Sequence, residues 1–262
     1  MLTEAQITRF HERGFLNGGR LLDDGQVETL RRELDRVIED RDRSDVPQPV
    51  HLRNLNQNPE TPVWQIVNIW AASDPFRELT GMRRVVEDVA QLTGAERLRV
   101  WHDQIQYKPA ERGGVTMWHQ DAPLWPILAP MTEVSAWVAL DDVDESNGCM
   151  SMVPGSHKWG NQIDFIRSVG NYEDMPGEWN GHRVEIVRCP VKRGEVHYHH
   201  ALTWHGSHAN TSSRPRRAIA IHYMTHETRF VASGQHVMKP FVEVEDGALM
   251  EGKHFPQVWP QI

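Results

Sequence analysis

A chain of 262 residues, 39% apolar and 24% charged, has the composition of a globular protein long enough to bury a sizeable core. Its net charge of −8 argues against general nucleic-acid binding. No run of about 18 apolar residues is present to span a membrane, and MLTEAQITRF lacks the basic-then-apolar pattern of a signal peptide, so a cytoplasmic protein is expected.

Thr3-Glu4-Ala5-Gln6 predicts a capping box that opens a helix burying Ile7 and Phe10. Asp24 is placed to cap a second helix with Val27, Leu30, Leu34, Val37 and Ile38 on one face. The polar, Pro/Asn-rich stretch 44–62 reads as a loop near the mouth of a site. Asp74-Pro75 opens a third helix, with Phe76, Leu79, Met82, Val85, Val86 and Val89 inward and Gly94 at its end. From Leu98 the period changes to two. Residues 98–108 place Val100, His102, Gln104, Gln106 and Lys108 on one face, and 133–141 do the same for Ser135, Trp137 and Ala139. Shorter strands are predicted at 149–153, 184–189, 195–200 and 216–224. The Gly/Asn-rich stretch 158–183, with Trp159, Phe165, Tyr172 and Trp179, reads as an active-site lid. Helices first and many short strands after predict a mainly β core with helical decoration. One domain is expected over 1–262: a helical part to about 95, a β core over about 96–225, and a tail, 226–262, packed back on the core. Cys149 and Cys189 make no disulfide framework, which fits a reducing compartment.

The chemistry concentrates around His119-Gln120-Asp121. Residues two apart on a strand face the same side, so an imidazole and a carboxylate can meet one metal ion. Taken alone, the pair has a simpler explanation as a buried hydrogen bond. A third ligand would come from a distant strand, and His197, His199, His200, His205 and His208 all compete. In RRAIAIHYM, Arg216 shares a face with Ala218, Ala220 and His222. A guanidinium beside two alanines has room for a carboxylate, held bidentately. Arg214 and Arg217 read as ordinary salt-bridge residues. Asn147-Gly148 and Pro154-Gly155-Ser156-His157 read as turns.

Three runs settle the competition by resemblance: WHQDAPLWPILAP (118–130), SAWVALDDVDESNGCMSMVPGSH (135–157) and WHGSHANTSSRPRRAIAIHYM (204–224). In order and spacing they resemble the phytanoyl-CoA dioxygenase family of Fe(II)/2-oxoglutarate oxygenases. The resemblance implies a double-stranded β-helix (jelly roll, cupin-like) core. It also implies Fe(II) on His119, Asp121 and His205, and a 2-oxoglutarate distal carboxylate on Arg216 and Ser207. Trp137 would line the pocket, with Gln106 and Lys108 as candidates for the other end of the co-substrate. His200, Trp125, His157 and Trp159 are candidates for substrate contact. The expected reaction is hydroxylation of a small molecule by dioxygen, releasing succinate and CO2. Halogenases on this scaffold carry a small residue where Asp121 stands, so the carboxylate favours hydroxylation. An acyl-CoA hydroxylase is one alternative, although His51, Arg53, Lys158, Arg167 and His182 lie among acids and form no clear phosphate patch. The other is a zinc or manganese hydrolase or isomerase on a cupin-like barrel, which leaves Arg216 and Ser207 unexplained as a pair.

Overall fold

The computed structural model describes residues 1–54 and 63–260. The helical part opens with α1 (Glu4–Arg13), capped reciprocally by Thr3 and Gln6 as expected, then β1 (Phe15–Arg20) and α2 (Asp24–Glu39). The cap of α2 is Asp23, one residue before the expected Asp24, because its carboxylate reaches the Gln26 amide, 2.8 Å, while Gln26 reaches back. β2 (His51–Asn54) lies within the stretch expected to be a loop and pairs antiparallel with β3 (Trp64–Val67); residues 55–62 of that stretch lie outside the described residues. The third predicted helix is two, α3 (Asp74–Thr80) and α4 (Arg83–Thr93), with the chain turning at Gly81-Met82. Met82 is therefore a junction residue, only partly buried.

The strand-rich part follows: β4 (Leu98–Lys108), β5 (Thr116–His119), β6 (Leu128–Ala129), β7 (Val134–Ala139) and β8 (Met150–Met152). After α5 (Ile163–Ser168) come β9 (Glu178–Trp179), β10 (His182–Arg183), β11 (Val187–Cys189), β12 (Glu195–His200), β13 (His205–Ser207) and β14 (Arg216–Thr225). β15 (Arg229–Phe230) and β16 (Gln257–Trp259) belong to the tail, and β16 pairs with β4 as the chain packs back.

Two antiparallel sheets build the core. The larger runs β1-β12-β7-β14-β4-β3-β2, with β16 beside β4; the smaller runs β11-β8-β13-β5. This is a jelly roll. Each strand alternation feeds two different layers. Ile105, Val138, Ile219 and Ile221 point out of the larger sheet into a core shared with Phe10, Leu34, Phe76, Val85 and Val89 of the helices. Trp137, Ala139, Ala218 and Ala220 point the other way, toward Met150 and Met152 of the smaller sheet. The two sheets thus sandwich a space whose larger-sheet wall includes small side chains.

The alternation of β4 does not run unbroken. His102 pairs with His222 but Val100 pairs with Tyr223, so Trp101 is an extra residue, a β-bulge. It flips the faces. Val100 joins the helix-side core, correcting its expected place beside His102, and Trp101 packs with Phe230, Met238 and Phe255 of the tail.

The 158–183 stretch is not a lid. Ile166, Tyr172 and Met175, with Phe165 and Trp179 against them, cover Trp118 and Trp204 of the smaller sheet on a layer of their own. The Trp118 indole donates to the Tyr172 carbonyl, 2.7 Å, and the two rings stack. The aromatic richness read as substrate contact is the apolar area needed to bury two tryptophans.

Candidate active site

His119 is the last residue of β5, and His205, the first of β13, pairs directly with it. That register brings the two rings to 4.1 Å between centroids. Gly206 permits it: a Cβ there would meet the Thr116 carbonyl at 2.9 Å. Asp121 lies beyond the strand, at the start of a 3-10 turn (Ala122–Leu124), so strand alternation alone does not place it. Gln120 does. Its buried amide donates to the Gly160 and Leu202 carbonyls, 2.8 and 2.7 Å, and accepts from the Gln162 amide, 2.7 Å. Pinned on the outside, Gln120 forces its two neighbours inward.

The three side chains converge. Asp121 Oδ1 lies 3.5 Å from His119 Nε2 and 3.6 Å from His205 Nε2. One ligand atom from each lies within 4.8 Å of the others, and no other such group occurs among the described residues. Nδ1–H of His119 donates to the Met117 carbonyl (2.8 Å), and that of His205 to the Thr203 carbonyl (2.9 Å). These bonds fix the tautomer and leave both Nε2 lone pairs aimed at one point, the arrangement a metal-binding histidine requires. Burial opposes the charge on Asp121, but His205, His119 and His199 outweigh it and hold the carboxyl well below its usual range.

A layer of partners behind Asp121 was not anticipated. Its Oδ2 accepts from Ser135 Oγ, 3.1 Å, and from His199 Nε2, 3.2 Å. Ser135 has one hydroxyl proton; having given it to Asp121, it accepts from His222 Nδ1, 2.7 Å. His199 is thus a support for a ligand, neither a ligand nor an ordinary strand histidine. Strand parity held the signal for Ser135 and His222, which share faces with Trp137 and Arg216. For His199 it required knowing that β12 lies beside β7.

Along the same strand, Ser207 is two residues from His205, about 6–7 Å away. Here the cavity carries two buried basic side chains. Arg216 pairs across the sheet with Lys108, which puts both at one end of the cavity. Lys108 was expected at the opposite end of the co-substrate from Arg216; the register corrects that. Its Nζ donates to Ser207 Oγ and to the His208 carbonyl, each 2.7 Å. The Arg216 guanidinium lies over Trp137, 5.2 Å, and reaches Ser207 Oγ and the Gly148 and Gln106 carbonyls only at 3.3–3.4 Å. No carboxylate pairs with either cation among the described residues. Burial and then the Arg216 charge pull Lys108 down to about 6, and burial pulls Arg216 down to about 10. Two desolvated basic groups sharing one serine can take an anion.

Both groups open on one cavity of about 560 Å³, lined by His119, Asp121, His205, Lys108, Ser207, Arg216 and Trp137, and also by Gln104, Gln106 and Trp125. His157, Trp159 and His200 do not border it. His157 donates to the His11 carbonyl, 3.2 Å, with the His200 ring 5.5 Å away, and Trp159 stacks on His182, 4.6 Å, in the outer layer. Of the residues expected at substrate, Trp125 alone faces the space, its ring edge-on to His222 at 4.7 Å. The expected salt-bridge residues are such: Arg217 pairs with Asp141 and Arg214 with Asp144.

The donor set fits iron. Two imidazoles and a carboxylate on one side of a point leave the other side open, and one carboxylate with no thiolate suits Fe(II). The orphaned Arg216–Lys108 pair fits a dicarboxylate co-substrate.

Comparisons with known proteins agree with this geometry. The phytanoyl-CoA dioxygenase family model matches residues 10–218. The peroxisomal phytanoyl-CoA dioxygenase of Rattus norvegicus is 23% identical over 272 residues, covering 94% of this chain and 76% of the rat enzyme. A probable alpha-ketoglutarate-dependent hypophosphite dioxygenase of Stutzerimonas stutzeri is 30% identical over 57% of this chain and 53% of its own. Among solved structures, the non-heme alpha ketoglutarate dependent carbocyclase SnoK superposes with a TM-score of 0.80 at 25% identity, over 98% of this chain and 96% of its own. With the family model covering most of the chain and the His119, Asp121 and His205 cluster within it, the chain belongs to the phytanoyl-CoA dioxygenase family and is an iron- and 2-oxoglutarate-dependent oxygenase.

Proposed function

We propose that the protein hydroxylates a small organic molecule, using 2-oxoglutarate and dioxygen and releasing succinate and CO2. His119, Asp121 and His205 would hold the iron. Arg216, Lys108 and Ser207 would hold the distal carboxylate of the co-substrate, with Trp137 beneath the guanidinium. When bound, the iron couples oxidative decarboxylation of the co-substrate to activation of dioxygen. Ser135 and His199 keep Asp121 Oδ2 occupied, so that Oδ1 faces the histidines. Trp125 walls the cavity. No residue is required as a general base. Asp121, a carboxylate where halogenases have a small residue, supports hydroxylation.

The observation that carries the reading is the orphaned cation pair. A zinc or manganese hydrolase has no use for Arg216 and Lys108 buried together without an acid, and the burial of the Arg216 charge is costly unless an anion arrives. The test is succinate formation from 2-oxoglutarate by the purified protein with Fe(II), Zn(II), Mn(II) or no added metal. Succinate with Fe(II) alone supports the proposal. Its absence with Fe(II), in protein that has bound the metal, refutes it.

A further inference from the structure

We propose that the substrate of this site is an uncharged molecule with an apolar, ring-sized body and one or two hydrogen-bonding groups. The inference rests on the oxygenase reading above, because it begins by assigning the charged lining residues to iron and co-substrate. Those residues are Lys108, Asp121 and Arg216, and the rest of the described lining has no Lys, Arg, Asp or Glu.

What remains is a chamber of apolar and uncharged polar walls, the polar part including Gln65, Gln104, Gln106, Tyr107 and Thr116. Trp64 and Trp125 supply flat surface. Gln104 points into the space from β4, and its side-chain amide makes no hydrogen bond within the described residues. His222, whose Nδ1 is engaged by Ser135, presents Nε2 to the cavity. The Gln104 amide is half-buried at the cavity wall, where a ligand can supply the partner that the protein does not. The mouth continues the theme. Val115, Met117 and Leu124 all border the cavity, at 46%, 41% and 36% exposure, and they are three of the seven large apolar side chains exposed among the described residues. Apolar groups held in water around one opening mark a binding surface.

The exclusions follow from the same list. A substrate carboxylate or ammonium would lose its hydration shell against indoles, methionines and uncharged amides and hydroxyls, with no counter-charge in the described lining to replace the water. A coenzyme A ester would bring phosphates to a rim of valine, methionine and leucine. The cavity, about 560 Å³ with the co-substrate to be housed as well, is of the size that encloses a compact ligand.

The test compares one skeleton in three charge states. Isothermal titration of the protein loaded with Mn(II) and 2-oxoglutarate, without oxygen, would use 2-naphthol, 2-naphthoate and 2-naphthylmethylammonium, with decanoyl-CoA as a fourth probe. The expected result is 2-naphthol binding at least tenfold more tightly than each of the others. Gln104→Glu should reverse the order, raising affinity for the ammonium probe at least tenfold, with the melting temperature reporting that the variant is folded. Equal affinities, failure of all four to bind, tighter binding of a charged probe or of decanoyl-CoA, or an unmoved ammonium affinity in Gln104→Glu each overturn the proposal. Uncoupled succinate formation without probe is read separately. Its failure refutes the oxygenase reading, whereas failed probe selectivity with intact succinate formation refutes this inference alone.

Discussion

Arg217 donates from Nε and a terminal nitrogen to both oxygens of Asp141, at 3.0 and 2.9 Å, and Arg31 contacts the same carboxylate from α2. Arg216, one residue earlier on the same strand, is more deeply buried and has no carboxylate at all. Asp88, packed on the helix side of the larger sheet, is likewise partnered, by Arg84 and Tyr198, at 2.8 and 3.0 Å. On the cavity side, Lys108 and Arg216 share one serine, and Gln104 faces open space. A fold that closes its charges on one face and leaves them open on the other has reserved the open ones for ligands.

The strongest break of that contrast is at the metal. His119→Ala, Asp121→Ala and His205→Ala should each abolish succinate formation with little change in melting temperature, since each removes one of three converging ligands. Activity in any of them, measured with saturating Fe(II), removes that residue from the set. Next comes the arginine pair. Arg216→Ala should raise the KM for 2-oxoglutarate by one to two decades, the equivalent of about 1.5–3 kcal/mol for a charge-assisted contact. Arg217→Ala should leave KM alone and lower stability by about 1.5–3 kcal/mol through Asp141. An interchange of those two phenotypes would mean that the two faces have been read backwards.

The histidines sharpen the contrast further. His199→Ala should weaken iron affinity about tenfold or more, as loss of a group supporting a ligand does. His197→Ala, whose ring stacks on Phe15 at 5.8 Å, should leave iron content unchanged by elemental analysis. Glu133 offers a comparison in stability. Neither of its carboxylate oxygens has a partner and burial raises it to about 8, so it folds neutral. Between roughly pH 5 and 8 the folded state holds a proton that the unfolded chain releases. Stability should therefore fall as pH rises, by about 1.4 kcal/mol per pH unit from this group, and Glu133→Gln should flatten that slope in denaturant titrations. The smallest effect is at Lys108. Pulled to about 6 when the site is free, it is largely neutral at pH 7.5, and a bound carboxylate favours the ammonium form. Co-substrate binding should take up as much as one proton, seen as a binding enthalpy that depends on the buffer's ionisation heat. Lys108→Met should abolish that dependence.

How much of this could be read from the chain differs by element. The capping box at Thr3 and Gln6, the cavity-facing Gln104, Gln106 and Lys108, and the opposite faces of Arg216 and Arg217 follow from local periodicity and are found as read. The lid over 158–183 was misplaced because aromatic residues that cover a sheet and those that cover a substrate have the same composition. Trp159 went with it, and His157, read as reaching substrate from the turn before it, faces the His11 carbonyl instead. The Trp101 bulge was invisible because one extra residue in a strand leaves the sequence alternation looking intact on either side.

The sequence by itself brought out the candidate ligand residues: His119 and Asp121 by their spacing, and His205 and Arg216 by the resemblance of the runs that hold them to a known family. Only the tertiary structure decided what surrounds them. That Lys108 joins Arg216, that His199 and Ser135 hold Asp121, and that the rest of the described lining has no Lys, Arg, Asp or Glu all depend on the register between strands far apart in the chain. The periodicity of one strand fixes which way each side chain points. It is silent on which strand lies alongside, because pairing is set by hydrogen bonding and packing between distant segments.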